Sequence, residues 1–282
     1  MKASALWLAA SLCFFPTSFA AAVDLSETVA GHPGLTYFDL MKQLVPDLAL
    51  GDKDGAVGRQ VVPFAPIENR DQTGEPPQDI ALKPSDVDVM KIPGDESRIV
   101  VLVDLGPREG FVADAQLLAL FSLAPPARLL DVAEVGLDRV TVFSRKTEPA
   151  MLGPRSPLIV IENGHDDSDQ DFTAIEMIFI RRDRFQLIGG FSTLDEQLCA
   201  YKRLEPWFYS VVASPGRFPA LHVSVRERVT VTGETGCSEQ ETAPRPRVTT
   251  YQALYRWDER SQRFATRSMQ LKRLAEENEK SL

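Results

Sequence analysis

The densest run of chemistry-bearing side chains is residues 162–171, Glu-Asn-Gly-His-Asp-Asp-Ser-Asp-Gln-Asp, which holds one of only three histidines in the chain. Calcium takes six to eight oxygen ligands, and Asp167, Asp169 and Asp171 fall at the first, third and fifth positions of the EF-hand pattern. Phe172 then stands where that pattern needs glycine, and Ile178 where it needs a bidentate glutamate, so a standard EF-hand is excluded. An irregular calcium site on Asp167, Asp169 and Asp171, with ligands drawn from elsewhere, is the one cofactor expectation. A transition-metal site on His165 would need further nitrogen or sulfur ligands. His32 and His222 do not stand at helpful spacing. The plain reading is a solvated hairpin loop whose charges blunt a sheet edge.

Catalytic signatures are missing. The sequence contains no Gly-x-Ser-x-Gly elbow, no His-Glu-x-x-His and no Gly-x-x-x-x-Gly-Lys-Ser/Thr phosphate loop. Triads are recognised by geometry and not by chain order. The enzymatic alternative is therefore an exported hydrolase assembled from distant residues around His165 or His222. Paired carboxylates of a glycosidase have 40 acidic residues to draw on, yet no spacing selects a pair. Trp207-Phe208-Tyr209 is the other cluster with binding chemistry: it would stack on a sugar or meet a partner, or it would belong to a core.

Two cysteines carry a covalent expectation. Residues 1–20 have the form of a secretory signal: Lys2 at the start, an apolar run over 5–15, Pro16, and the small-x-small Ser18-Phe19-Ala20. That run is too short to anchor the chain in a bilayer. Cleavage discards Cys13 and leaves Cys199 and Cys237 in a periplasmic or extracellular setting, where disulfides persist. Cys237 lies in a polar, glycine-containing loop with almost nothing apolar to tether it, so a Cys199–Cys237 bridge is predicted.

The elements that must position these residues read as β-rich. Residues 157–191 form a meander: a strand over 158–161, the acidic loop, a strand over 172–180, the charged turn Arg181-Arg182-Asp183-Arg184, and a strand over 185–188. Gly189-Gly190-Phe191-Ser192 reads as a strand end and a turn. Ile99-Val100-Val101-Leu102-Val103 suits a strand buried on both faces. Short strands are expected over 115–123, 128–135 and 140–143. Over 220–232, Leu221, Val223, Val225, Val229 and Val231 share one face, broken only by Glu227, while His222, Ser224, Arg226, Arg228 and Thr230 share the other. Tyr251, Ala253, Tyr255 and Trp257 alternate likewise, before a turn and a return at Arg263-Phe264. One helix begins at a Thr36 cap with Asp39 three residues on, carries a stripe of Phe38, Met41, Val45 and Leu48, and ends before Pro46. A second, with Leu271 and Leu274, closes the chain.

The expected fold is mostly antiparallel β, with a short N-terminal helix and a short C-terminal helix. After the signal come an N-terminal helical element (21–65), a Pro-rich surface connection (66–97) with an extended piece at 79–82, and a main β-rich domain (98–282). The first and last of these are able to form one domain. The net charge of −9 becomes −10 once Lys2 is lost, which disfavours nucleic acid and anionic membranes as partners. Charge is uneven: residues 21–171 hold 13 basic and 26 acidic side chains, residues 172–282 hold 17 and 14. The functional expectation is a secreted or periplasmic, non-catalytic binding or envelope-associated module. Its partner would be a protein, a glycan or another envelope ligand.

Overall fold

The computed structural model describes residues 21–51, 55–110, 113–145, 150–166, 169–233, 237 and 244–280. The signal sequence and Asp167 lie outside them. In chain order the elements are β1 (Ala21–Ala22), α1 (Tyr37–Leu44), β2 (Ala49–Leu50), β3 (Ala56–Gly58), β4 (Ile80–Leu82), β5 (Val87–Ile92), β6 (Asp95–Asp104), β7 (Gln116–Ser122) and β8 (Arg128–Glu134). There follow β9 (Val140–Phe143), β10 (Met151–Gly153), β11 (Ser156–Asp166), β12 (Gln170–Arg181) and β13 (Arg184–Gln197). Last come β14 (Tyr201–Leu204), β15 (Trp207–Val212), β16 (Ala220–Val231), β17 (Arg247–Asp258), β18 (Arg263–Ala265) and α2 (Gln270–Asn278). The strands pair antiparallel throughout, and the two helices stand near the chain ends, as the sequence predicts. Among the described residues no helix is long and apolar enough to cross a membrane.

Strand β6 organises the first half, in a sheet ordered β1-β5-β6-β7-β8. Full burial of an aliphatic side chain is worth about 1.5–3 kcal/mol, so a strand covered on both sides is apolar at every position. Ile99, Val101 and Val103 pack with α1, β4 and the N-terminal segment on one side. Val100 and Leu102 point the other way, with Leu118 and Leu120, against Ile159, Ile161, Ile178 and Ile180 of the large sheet. The large sheet runs β10-β11-β12-β13-β14-β16-β17-β18, with β9 also on β11 and β15 on β16. It folds back on itself: Met177 and Phe179 meet Val223, Val225, Tyr255 and Trp257 in a third apolar layer closed by Leu271 and Leu274 of α2.

Helix α1 starts at a reciprocal cap: the Asp39 amide donates to the Thr36 hydroxyl at 3.2 Å and the Thr36 amide to the Asp39 carboxylate at 2.9 Å. It stops before Pro46. Its buried stripe is Tyr37, Leu40, Met41 and Leu44, shared with the expected stripe only at Met41; Val45 and Leu48 are buried just past its end. The Pro-rich segment is more ordered than a surface connection. It contains β4 where the extended piece was expected, and β5, which pairs with β1 and β6. Pro84 and Pro93 flank β5 without interrupting it, while Val87 and Val89 bury one face and Met90 and Ile92 the other.

The meander is longer than its apolar runs. Residues 162–166, expected in a loop, continue β11, because Ile161 to Gly164 are laddered on both sides, to β9 and to β12. The charged turn shrinks to Arg182-Asp183, both at positive φ (50° and 58°), the requirement of a two-residue hairpin turn. Gly189-Gly190 lies inside β13, so the expected strand end there is wrong. The ladder shifts register at Met177/Ile178, leaving Ile188 as an extra residue. A Cβ on Gly189 would stand 2.7 Å from the Tyr255 ring, so only glycine lets β17 pack this closely.

A buried guanidinium ties the first sheet to this meander. Arg98 donates to Asp95 (2.8 Å), to Asp183 in the β12–β13 turn (2.9 Å) and to the Arg155 carbonyl (2.6 Å). Burial alone would raise the Asp95 carboxyl. Hydrogen bonds from Ser97, Arg98 and Arg155 outweigh that and hold it at about 2. A depressed carboxyl contributes stability above its unfolded value, near 3.9, and loses it as pH falls toward 2. Asp95→Asn is therefore expected to lower the unfolding free energy by about 2 kcal/mol at pH 7. The gap from wild type should shrink between pH 4 and pH 2 in urea titrations, and a pH-independent gap would contradict the assignment.

Candidate functional site

The sequence-selected residues disperse. His165 lies near the end of β11, its Nδ1 2.6 Å from the Asp138 carboxylate and its ring against Phe172, its cross-strand neighbour. An Asp–His pair is two-thirds of a triad, but neither of the two clefts described below is lined by His165 or His222. His222 sits on β16 between Ser210 and Leu254, half-buried. Of the calcium candidates, Asp169 and Asp171 are exposed at the start of the β12 region, with Asp171 laddered to Asp166 and Asp195. Among the described residues no three His, Cys, Asp or Glu side chains gather as metal ligands would. Cys199 and Cys237 are joined, their Cα atoms 5.6 Å apart.

Among the described residues, two clefts are lined mainly by the first half. The larger, about 430 Å³, is lined by Phe64, Arg70, Gln72, Asp131 and Arg184 among others. Its charges are largely spoken for: Asp131 accepts from Arg70 at 2.7 Å and from the Phe185 amide at 2.8 Å. The smaller, about 210 Å³, lies at the mouth between the sheets and gathers Asp86, Asp88 and Asp104 with Gln116, Arg139 and Thr141. Burial raises the Asp88 carboxyl against the pull of Arg145. Burial also raises Asp104, helped by Asp114 and Asp86 and opposed by bonds from the Gly106 amide and Gln116.

Behind this mouth, polar groups enter the inter-sheet core. Asn163 accepts from the Thr141 hydroxyl (2.7 Å) and the Leu137 amide (3.0 Å). Glu176, 3 % exposed, lies between Ile161 and Gly190 in the ladder. Among the described residues no hydrogen-bond partner reaches its oxygens. Burial first, and Glu68 second, push Glu176 well above the carboxylate range. A raised carboxyl makes folding progressively less favourable as pH climbs past the unfolded value. Glu176→Gln, which mimics the protonated acid, is expected to match wild type near pH 4 and to become the more stable protein toward pH 8. A wild-type advantage that grows with pH would refute a carboxyl held protonated by burial.

The residue that interrupts the β16 alternation marks a network the sequence reading passed over. Glu227, 1 % exposed, accepts from Arg247 at 3.1 and 2.6 Å and lies 3.4 Å from Arg203. Arg203 also pairs with Glu205 and reaches Asn278 of α2, whose side-chain amide donates to Glu205 at 2.8 Å and to the Ser192 carbonyl at 3.3 Å. Burial raises Glu205 against Arg203, Asn278 and the Leu194 amide. Every charge is committed to a neighbour, so the network fixes α2 against β13 and β14 and offers nothing to a substrate. A lone acidic residue in an apolar alternation was the available signal.

The open surface lies on the far side of this layer. Strand alternation divides the aromatic cluster: Trp207 turns inward, edge-on to Phe191 (5.7 Å) and stacked with Tyr209 (6.4 Å), while Phe208 turns outward, 58 % exposed. Phe208 stands beside Ser224 on β16, which stands beside Gln252 on β17. Arg226, Arg228 and Arg256 are exposed on the same face. This face carries one exposed ring, Phe208, among hydroxyl, amide and guanidinium groups. No family model matches the chain, and no curated protein or solved structure proved similar to it.

Proposed function

We propose that the protein is an exported, non-catalytic binding module whose ligand, a component of the envelope or of the surrounding medium, meets the outer face of β15, β16 and β17. One observation supports this above the others: an aromatic side chain, Phe208, stands exposed on an open sheet face, while neither candidate catalytic histidine lines either of the two clefts described above. Aromatic rings are costly to leave in water and are common anchors in recognition. The Cys199–Cys237 bridge supports export, because such bonds persist in oxidising compartments. The mature protein, assayed against chromogenic esters, glycosides and peptides, is expected to show no turnover. Hydrolysis that disappears in His165→Ala or His222→Ala would overturn the reading in favour of a hydrolase.

A further inference from the structure

We propose that this outer face binds an acidic polysaccharide of the polyuronate type, its carboxylates held by Arg226, Arg228 and Arg256 and a sugar ring laid on Phe208. The proposal rests on the binding-module reading and adds the ligand's chemistry. The outward positions of β15, β16 and β17 between Phe208 and Arg256 include no aspartate or glutamate, in a chain with 40 acidic against 31 basic residues. Glu227 belongs to the same strand as two of the arginines but faces inward. Elsewhere buried arginines are committed to carboxylates, as Arg98 and Arg203 are. Among the described residues Arg226, Arg228 and Arg256 form no ion pair, and all three are exposed.

A guanidinium presents a planar fork that matches a carboxylate with two parallel hydrogen bonds. Arg226 and Arg228 point the same way, two residues apart, about 7 Å along the strand. Their row extends through Ser224 to His222, about 20 Å in all, enough for several linked rings. Between the arginines, Ser224 and Gln252 supply neutral hydrogen-bonding groups suited to hydroxyls, beside the apolar face of Phe208. That alternation of sparse positive charge, neutral polar groups and one ring fits a polymer with spaced carboxylates and many hydroxyls. A nucleic acid, with a phosphate every ~3.4 Å per strand and few hydroxyls, and an anionic bilayer, with no run of hydroxylated rings, match that pattern less well.

The test is titration of the mature protein with an oligogalacturonate of defined length, followed by calorimetry, with neutral dextran, single-stranded DNA and phosphatidylglycerol vesicles as parallel arms. Oligogalacturonate is expected to bind, dextran not to bind, and added salt to weaken the interaction. Arg226→Ser/Arg228→Ser should weaken binding about tenfold or more. Phe208→Ser should weaken it about threefold to tenfold, while Arg273→Ser, at an exposed position of α2, should leave it unchanged. Oligogalacturonate binding that is absent, or indifferent to the face variants, overturns the assignment. So does tighter, face-dependent binding of DNA or vesicles. None of these results touches the non-catalytic reading, which only histidine-dependent hydrolysis removes.

Discussion

Aspartate at Val223 is expected to lower the unfolding free energy by about 4–5 kcal/mol, whereas serine at His222, one residue earlier, should change it by less than about 0.5 kcal/mol. Val223 is fully buried, laddered between Tyr209 and Ala253, and packed with Met177, Phe179 and Tyr255. The substitution forfeits the burial of two methyl groups and places a carboxyl among apolar neighbours. Such a carboxyl takes up a proton before it tolerates burial as an anion, so the loss should deepen with rising pH. Val229 is the instructive contrast. It is as buried as Val223, but its ladder partners are Arg203 and Arg247, which already engage Glu227, so an aspartate there meets guanidinium groups as well as a competing carboxylate and is expected to cost less than at Val223. Chemical denaturation of the three variants decides the matter. Equal tolerance at 222 and 223 would mean that β16 lacks one buried face.

What the sequence disclosed followed from periodicity, and what it hid followed from pairing. The unbroken run of β6 could be read because burial on both faces demands apolar side chains at each position, and the alternation of β16 because burial on one face demands every second. Val231 breaks that pattern: it is half exposed at the strand's end, where no opposing layer covers it. Strand β5 was concealed by its flanking prolines. Residues 162–166 were concealed by their polarity, since a backbone laddered on both sides stays extended whatever its side chains. Those polar side chains then find partners across the ladder, as Glu162 does with Ser144 (2.6 Å) and His165 with Asp138. Of the candidate surface, the Trp207 cluster could be located from sequence. Which ring would face out could not, because that depends on the register of β15 against β16. The burial of Glu176 depends on the strands that flank β12 and on the layer above them, so no local spacing reveals it.

Removal of the Cys199–Cys237 bridge should lower stability by about 4 kcal/mol, and the melting temperature by about 8 °C for a chain of this size. Cys199 lies in the turn between β13 and β14, where the Leu198 amide donates to the Tyr201 carbonyl at 3.0 Å and Thr232 bonds the Cys199 carbonyl. Cys237 follows β16, so the bridge ties that point of the chain to the turn. The bond closes a loop with a sequence separation of 38 that contains β14, β15 and β16, the strands carrying much of the proposed binding face. In the chain-entropy account the stabilisation comes from the unfolded ensemble, which loses the freedom to separate these ends. Cys199→Ser/Cys237→Ser and the reduced wild type should consequently lose the same amount, within about 0.5 kcal/mol of each other, because neither removes much native packing around two half-buried side chains. Thiol titration supplies the chemical check. Unfolded, unreduced mature protein should yield no free thiol, and two should appear after reduction. Two thiols before reduction, or a serine variant as stable as wild type, would show that the bridge does not hold this half of the molecule.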